Sequence, residues 1–222
     1  MKGLETLYED DECIVINKPA GLPVQGGRGV SVSLDVILAD LWKPRPLLVH
    51  RLDKETSGVI LTAKTPSAAA YFSRIIAGKN AVKKYIALCH CAEGAPEQIS
   101  GVITNGLTQK GVLKDAVTYY KRFAEKDGFA LFQIELGTGR THQIRRHLSQ
   151  SGLPVIGDDK YGDFSLNKRF RKECGVKQML LHASSLSFPP QNGKTIEISA
   201  PIPAYFNKAL EILGIAQINN LI

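Results

Sequence analysis

Leu47-Leu48-Val49-His50-Arg51-Leu52-Asp53-Lys54-Glu55-Thr56-Ser57-Gly58-Val59-Ile60-Leu61 is the stretch on which the reading of this chain turns. Two apolar runs, 47–49 and 59–61, bracket a polar loop that ends on glycine. Asp, Lys, Thr, Ser and Gly are turn formers, so the pattern is strand, turn, strand. A carboxylate in such a loop is held at the rim of a sheet, where a ligand reaches it. Asp53 lies between Arg51 and Lys54, and nearby cations favour its charged, nucleophilic form. Taken alone, the segment reads more simply as a surface turn, and the remaining chain has to decide.

Upstream, the apolar strand Cys13–Ile16 runs into Asn17-Lys18-Pro19-Ala20-Gly21-Leu22-Pro23-Val24, whose prolines and glycine mark a rigid exposed turn. Leu34, Ile37, Leu38 and Leu41 predict a helix over 33–42, capped by Ser33 and ended by Pro44 and Pro46. Thr65, Pro66 and Gly78 bracket a second helix over 66–77. Strand patterns cover 80–92, 99–104, 115–123 and 129–136. Thr141 to Ser151 reads as a short helix stopped by Gly152, with Ile144 and Leu148 on its buried side. Strands at 179–188 and 194–199 and an amphipathic helix over 203–213 follow. Strands outnumber helices and seldom alternate with them. The expected fold class is α+β, with a largely antiparallel central sheet flanked by helices and loops. The 222 residues suit one domain over 1–222, built whole or as two closely packed subdomains sharing one sheet.

With 44% hydrophobic and 22% charged residues the composition is that of a soluble globular protein. No apolar run approaches the roughly 20 residues that span a bilayer, and Met1–Glu5 lacks the apolar core of a signal peptide. The expectation is a cytoplasmic protein with no membrane partner. Cys89-His90-Cys91 has C-x-C spacing and no second ligand pair, so it reads as strand with two small core residues and no metal. A net charge of +7 points to nucleic acid or another polyanion, but also fits a basic enzyme without one. Lys168, Arg169, Arg171, Lys172 and Lys177 cluster around Phe170 in a segment without strand pattern, and Arg140, Arg145 and Arg146 form a second group.

Gly137-Thr138-Gly139-Arg140-Thr141-His142-Gln143-Ile144-Arg145-Arg146-His147-Leu148 runs from a strand through a glycine turn into a helix N-terminus. Backbone N–H groups there can hold an anion, and Arg140 can reach a carboxylate through a two-point contact. The glycines make neither a dinucleotide fingerprint nor a Walker loop. His142 and His147 lie five apart, which is the wrong spacing for a same-face metal pair. Tyr85, in Lys83-Lys84-Tyr85, fits either a core aromatic or a ring that stacks on a base.

Together these residues resemble the RluA-like family of RNA pseudouridine synthases. His50-Arg51-Leu52-Asp53 followed by Thr56-Ser57-Gly58 matches its central motif, and Lys83 to Tyr85 its Lys-x-Tyr pattern. Gly139 to Arg145, Gly152 to Asp158 and Lys160-Tyr161-Gly162 match in order, as does Leu181-His182-Ala183 with Leu186 and Phe188. The opening Val15 to Val24 is family-like, so the resemblance runs from about Leu7 to Ala204.

The resemblance implies an isomerase without metal or organic cofactor, which detaches a uridine base from its ribose in RNA and rejoins it through carbon 5. By motif position Asp53 resembles the nucleophile, Tyr85 the residue that stacks on the uracil, and Arg140 the arginine paired with the carboxylate. Arg51 resembles the side chain that enters the RNA stack when the base flips out, and Leu181 an apolar pocket wall. His50, Thr56, Lys83 and Arg145 join them as substrate-binding candidates, with Lys168, Arg169, Arg171 and Lys172 expected on backbone phosphates. The implied partner is a ribosomal or transfer RNA stem-loop, met by a monomer without an obligate protein partner. A non-catalytic RNA-binding protein of the same fold is the rival reading. A nucleoside hydrolase or phosphate-binding enzyme is a weaker one, resting on the Gly137 turn and a single carboxylate, where glycoside hydrolysis calls for a paired second. Two departures stand out. Pro189-Pro190 replaces the His-Pro common after Phe188, and the sequence opens directly on the catalytic domain, so recognition is expected to fall to that domain's own basic loops.

Overall fold

The computed structural model describes residues 4–27, 31–78 and 80–215, so residues 1–3 of the opening read for a leader lie outside it. Along the chain run β1 (Glu5–Glu9), β2 (Cys13–Lys18), α1 (Leu34–Leu41), β3 (Leu47–Leu48), β4 (Ser57–Ala63) and α2 (Pro66–Ala77). Then come β5 (Val82–His90), β6 (Ser100–Ile103), β7 (Leu107–Gln109), β8 (Val112–Lys114), β9 (Thr118–Lys126) and β10 (Phe129–Leu136). The order closes with α3 (Gln143–Gln150), α4 (Phe164–Cys174), β11 (Leu181–Phe188), β12 (Ile196–Ser199) and α5 (Ala204–Leu213). This is the expected α+β class: β1–β2, β2–β4, β3–β4, β5–β10, β9–β10, β6–β9, β7–β8 and β11–β12 all pair antiparallel. The chain divides into two compact units, Met1–Lys83 with Ala183–Pro201, and Lys84–His182 with Ile202–Ile222.

In the first unit β1, β2, β4 and β11 lie in that order, with β12 beside β11 and β3 beside β4. The Thr65 hydroxyl caps α2 by accepting from Ala68 N at 3.1 Å, and Pro66 sits in the first turn as expected. Ala68, Phe72, Ile75 and Ile76 then form one buried stripe against Cys13, Val15, Val59 and Leu61. Phe72 meets Phe188 edge-on at 5.5 Å. Ile14 and Ile16, on the other face of β2, are equally buried, which is why that strand is a continuous apolar run instead of an alternation. Where Pro189-Pro190 departs from the family pattern, the Pro190 carbonyl accepts from Tyr71 Oη at 3.0 Å.

Gly58, the second residue of β4, has φ +109, and a Cβ there would stand 2.1 Å from the Ala183 carbonyl oxygen. The end of the polar loop is therefore pressed backbone to backbone on β11, at a distance only glycine permits.

In the second unit the order is β5, β10, β9, β6, with β7 and β8 forming a separate hairpin. Leu166, Phe170 and Cys174 of α4 and Phe206, Ala209 and Leu210 of α5 pack with Ile86, Leu88 and Leu131. α4 is the main element that sequence pattern misses. Its buried Leu166, Phe170 and Cys174 recur every four positions, but four lysines and arginines interrupt that stripe within its 11 residues. A helix shorter than about 12–15 residues is marginal alone, so this packing, with the Asp163 cap and the left-handed Gly175 stop, sustains it. The β7–β8 hairpin and β1 were also not expected. The strand expected over 115–123 instead runs Thr118–Lys126, because residues 110–111 close a tight hairpin upstream. α3 starts at Gln143, two residues later than expected, since His142 is left-handed at φ 52. Cys89 is buried as expected, whereas Cys91 lies past the end of β5 and is only partly buried.

Gly58 and Gly21 make a matched test. Both have positive φ, but a Cβ at Gly21 meets nothing within 4 Å. Gly21→Ala should lower unfolding free energy by about 1 kcal/mol, the cost of left-handed strain alone. Gly58→Ala should lose about 3 kcal/mol or more, read by urea unfolding; equal losses would mean the Ala183 approach is not constraining.

Candidate active site

The first unit carries the polar loop. Arg51 is exposed, Leu52 is buried, and Asp53 is partly exposed. Leu52 thus anchors the loop between two side chains directed away from the core. Thr56 N donates to the Asp53 carbonyl at 3.1 Å, closing a tight turn immediately after the carboxylate. Thr56 and Ser57 are buried, so the turn ends inside the unit.

Two side chains fix this loop. Leu61 N donates to His50 Nε2 at 2.9 Å. That bond requires an unprotonated Nε2, and burial, helped by the Lys83 charge, pushes the His50 pKa from 6.5 down to about 4. His50 is therefore a neutral strut at physiological pH. Lys18, read from sequence as part of an exposed turn, is instead wholly buried. Its Nζ donates to the carbonyls of Pro19 at 2.9 Å, Leu22 at 2.8 Å and Lys54 at 3.0 Å. Gly21 N also reaches the Lys54 carbonyl at 2.9 Å. The turn after β2 and the turn of Asp53 are thereby locked together. Burial drives the Lys18 pKa down to about 8, against the opposing pull of Glu55 and Asp53. Lys83, expected to touch RNA, is buried with its Nζ donating to the Ile76 carbonyl at 3.0 Å. Its ammonium thus caps the last turn of α2.

The second unit carries Tyr85, Arg140, Arg145, Leu181 and the α4 cations. Tyr85 and Leu181 are buried, and Tyr85 pairs in register with Ile134 of β10. After β10 the chain makes the Gly137–Arg140 turn, organised by Gln143. Buried Gln143 accepts at Oε1 from Thr138 Oγ1 at 2.7 Å and from Arg140 N at 3.0 Å. Its Nε2 donates to Val117 O at 2.8 Å and Thr118 Oγ1 at 2.9 Å. Every donor and acceptor of one amide is used on the turn and the neighbouring strand. Arg140 is partly exposed, with Nε donating to the Asp115 carbonyl at 2.9 Å. The Gln143 oxygen, not an anion, takes up the Arg140 N–H at this turn.

Arg145 differs from its expected role. It is buried, and its Nε and Nη2 meet the two carboxylate oxygens of Asp158, each at 2.7 Å. Burial alone would raise the Asp158 pKa, but Arg145 and the Tyr161 and Lys160 N–H groups hold it below the usual range. A guanidinium used this way braces α3 against the 158–161 turn instead of presenting charge to a ligand. Lys168, Arg169, Arg171 and Lys172 are exposed on α4, with Arg171 3.6 Å from Asp159. Lys18, Gln143 and Asp158 were not singled out from sequence, for their partners lie far along the chain. The nearest signal was a lone lysine ending an apolar strand.

Comparison with known proteins gives a consistent picture. A family model described as RNA pseudouridylate synthase matches residues 12–150. The ribosomal large subunit pseudouridine synthase C of Buchnera aphidicola subsp. Schizaphis graminum is 35% identical, over 93% of this chain and 70% of that protein. An uncharacterized RNA pseudouridine synthase of Zymomonas mobilis is 36% identical over 90% of this chain and 94% of its own length. Among solved structures, human RNA pseudouridylate synthase domain containing 4 has a TM-score of 0.81 at 27% identity, covering 96% of this chain and 93% of that one.

Lys18 yields a signed pH test. Folded Lys18 releases its proton near pH 8, whereas an exposed lysine holds it to about 10.4. Between those values the unfolded chain binds more protons, so Lys18 makes unfolding free energy rise with pH. The stability difference between wild type and Lys18→Met should shift in favour of wild type by on the order of 2 kcal/mol from pH 8 to pH 10. Urea titrations giving a flat difference would refute the desolvated ammonium.

Proposed function

This chain belongs to the RNA pseudouridylate synthase family and is an isomerase; on that premise we propose that it converts specific uridines in structured RNA to pseudouridine. Large-subunit ribosomal RNA is the favoured substrate, because relatives matching most of this chain are named for it. The observation that carries the reading is the Asp53 loop: a partly exposed carboxylate on a turn fixed by buried Lys18 and by Gly58, with exposed Arg51 two residues before it.

In the proposed reaction the bond from ribose C1′ to uracil N1 breaks and a bond from C1′ to C5 forms. C5 loses its proton and N1 gains one, so mass is unchanged. Asp53 is the nucleophile, Tyr85 the ring that stacks on the uracil, and Arg140 the cation that pairs with the carboxylate. Arg51 fills the gap left in the RNA stack as the target base flips out, and Leu181 supplies an apolar wall. His50 and Thr56 shape the loop from behind. The α4 cations contact backbone phosphates, adding a salt-dependent share of affinity. No step calls for a metal or an organic cofactor.

Asp53→Asn replaces the nucleophile with an amide of the same shape. It should keep the unfolding midpoint and RNA affinity while losing at least about 10³-fold in isomerisation. Tritium release from RNA carrying 5-tritiated uridine measures that rate; turnover near wild type would remove Asp53 from the chemistry.

A further inference from the structure

The second unit holds a cleft of about 660 Å³ that none of these roles uses. Lys110 and Lys114 come to it from the β7–β8 hairpin, Arg146 from α3, and Lys160 with Tyr161 from the turn before α4. His142 lines it at the start of α3. Among the described residues its lining includes four cationic side chains and no carboxylate. Clefts walled by one sign of charge focus the field and concentrate counter-charge. Its size lies in the range of about 300–1,000 Å³ usual for ligand sites.

The walls are tied together. Gln109 Nε2 donates to Thr141 Oγ1 at 2.9 Å, and Arg146 Nη1 to the Thr108 carbonyl at 3.1 Å, joining hairpin to helix. Tyr161 Oη lies 3.0 Å from His142 Nδ1, which fixes its ring. Arg145 Cζ at 5.1 Å and Lys160 Nζ at 5.3 Å from the Tyr161 centroid both sit on that ring, so the aromatic side chain holds charge at the cleft wall. Clustered cations of this kind are what the phosphates of a nucleic-acid strand use. The cations come from three separate chain segments, with no glycine-rich cradle to converge on a single phosphate. That distribution suits successive phosphodiesters better than one terminal phosphate.

We propose that this cleft is a second RNA anchorage, gripping backbone phosphates of the substrate. The inference rests on the reading of this chain as an enzyme acting on RNA. It adds an RNA contact beyond the motif loop and α4.

The test removes charge and keeps the fold. Lys110, Lys114 and Lys160 are exposed, and Lys110 occupies left-handed φ 48, so asparagine suits it. The variant is Lys110→Asn with Lys114→Gln and Lys160→Gln. A control removes equal charge elsewhere: Lys121→Gln, Lys194→Gln and Lys208→Gln. With a large-subunit ribosomal RNA transcript, the slope of log K against log salt should fall by about 2 in the cleft variant, roughly 0.7–0.9 per phosphate lost. KM should rise roughly tenfold, with the loss falling on KM instead of kcat. A slope change no larger than the control's would overturn the proposal. So would uridine monophosphate competing with RNA in wild type but not in the cleft variant, which would make the cleft a mononucleotide pocket. If wild type releases no tritium, the enzymatic reading fails while the binding slopes still decide the cleft.

Discussion

Lys18 gives its ammonium protons to the carbonyls of Pro19, Leu22 and Lys54 while shut away from solvent. A buried charge is tolerated only when its hydrogen bonds are made, and each of those carbonyls would lose its donor if the lysine left. The arrangement therefore has no cheap intermediate. Either the turn after β2 and the turn of Asp53 are docked on one another, or an ammonium and three carbonyls are stranded together. Gly58 and His50 then complete the constraint, one by letting β4 touch Ala183 and the other by taking the Leu61 N–H. The aspartate owes its position to polar groups that never approach a substrate.

The second unit solves the same problem with a neutral group. Gln143 satisfies Thr138, the Arg140 N–H, Val117 and Thr118 with one amide, so the turn bearing Arg140 is held from below. Nearby, His147 bridges Thr118 and the Asn105 carbonyl, at 2.9 Å each, and the Arg145–Asp158 pair braces the other side of α3. Apolar packing shapes both units, but directional bonds from buried polar side chains set the loops. Hydrophobic contact tolerates small slides, whereas a saturated amide or ammonium does not.

That division explains what was legible in the sequence. Elements with strong local signals came through: α2 between Thr65 and Gly78, β10 over Phe129–Leu136, and α1 behind Ser33. The Asp53 loop was legible as a turn, but its functional weight came from the other motifs. Local pattern does not reveal the burial of Lys18, one of whose acceptors lies 36 residues away, or of Arg145, because nothing near it announces Asp158. α4 was hidden by basic residues diluting its stripe of Leu166, Phe170 and Cys174. The β7–β8 hairpin turns on Lys110-Gly111, both at positive φ, where an Asn-Gly or Asp-Gly pair is the usual signal. Local pattern reveals elements; the burial of polar side chains is decided by distant partners.

The β7–β8 hairpin has a kinetic side. It is a two-stranded sheet of three-residue strands, pairing only Leu107–Gln109 with Val112–Lys114, and such ribbons are marginal by themselves. Leu107 is buried, but Val112 and Leu113 face solvent, and the two side-chain bonds to Thr141 and Arg146 are also exposed. Its opening free energy must lie far below that of β10, whose Ala130, Leu131, Phe132 and Ile134 are buried and which pairs with a strand on each side. The second unit is thus graded from a slowly exchanging centre to a rim whose amides trade hydrogen with water on their own clock, and one wall of the basic cleft belongs to that rim.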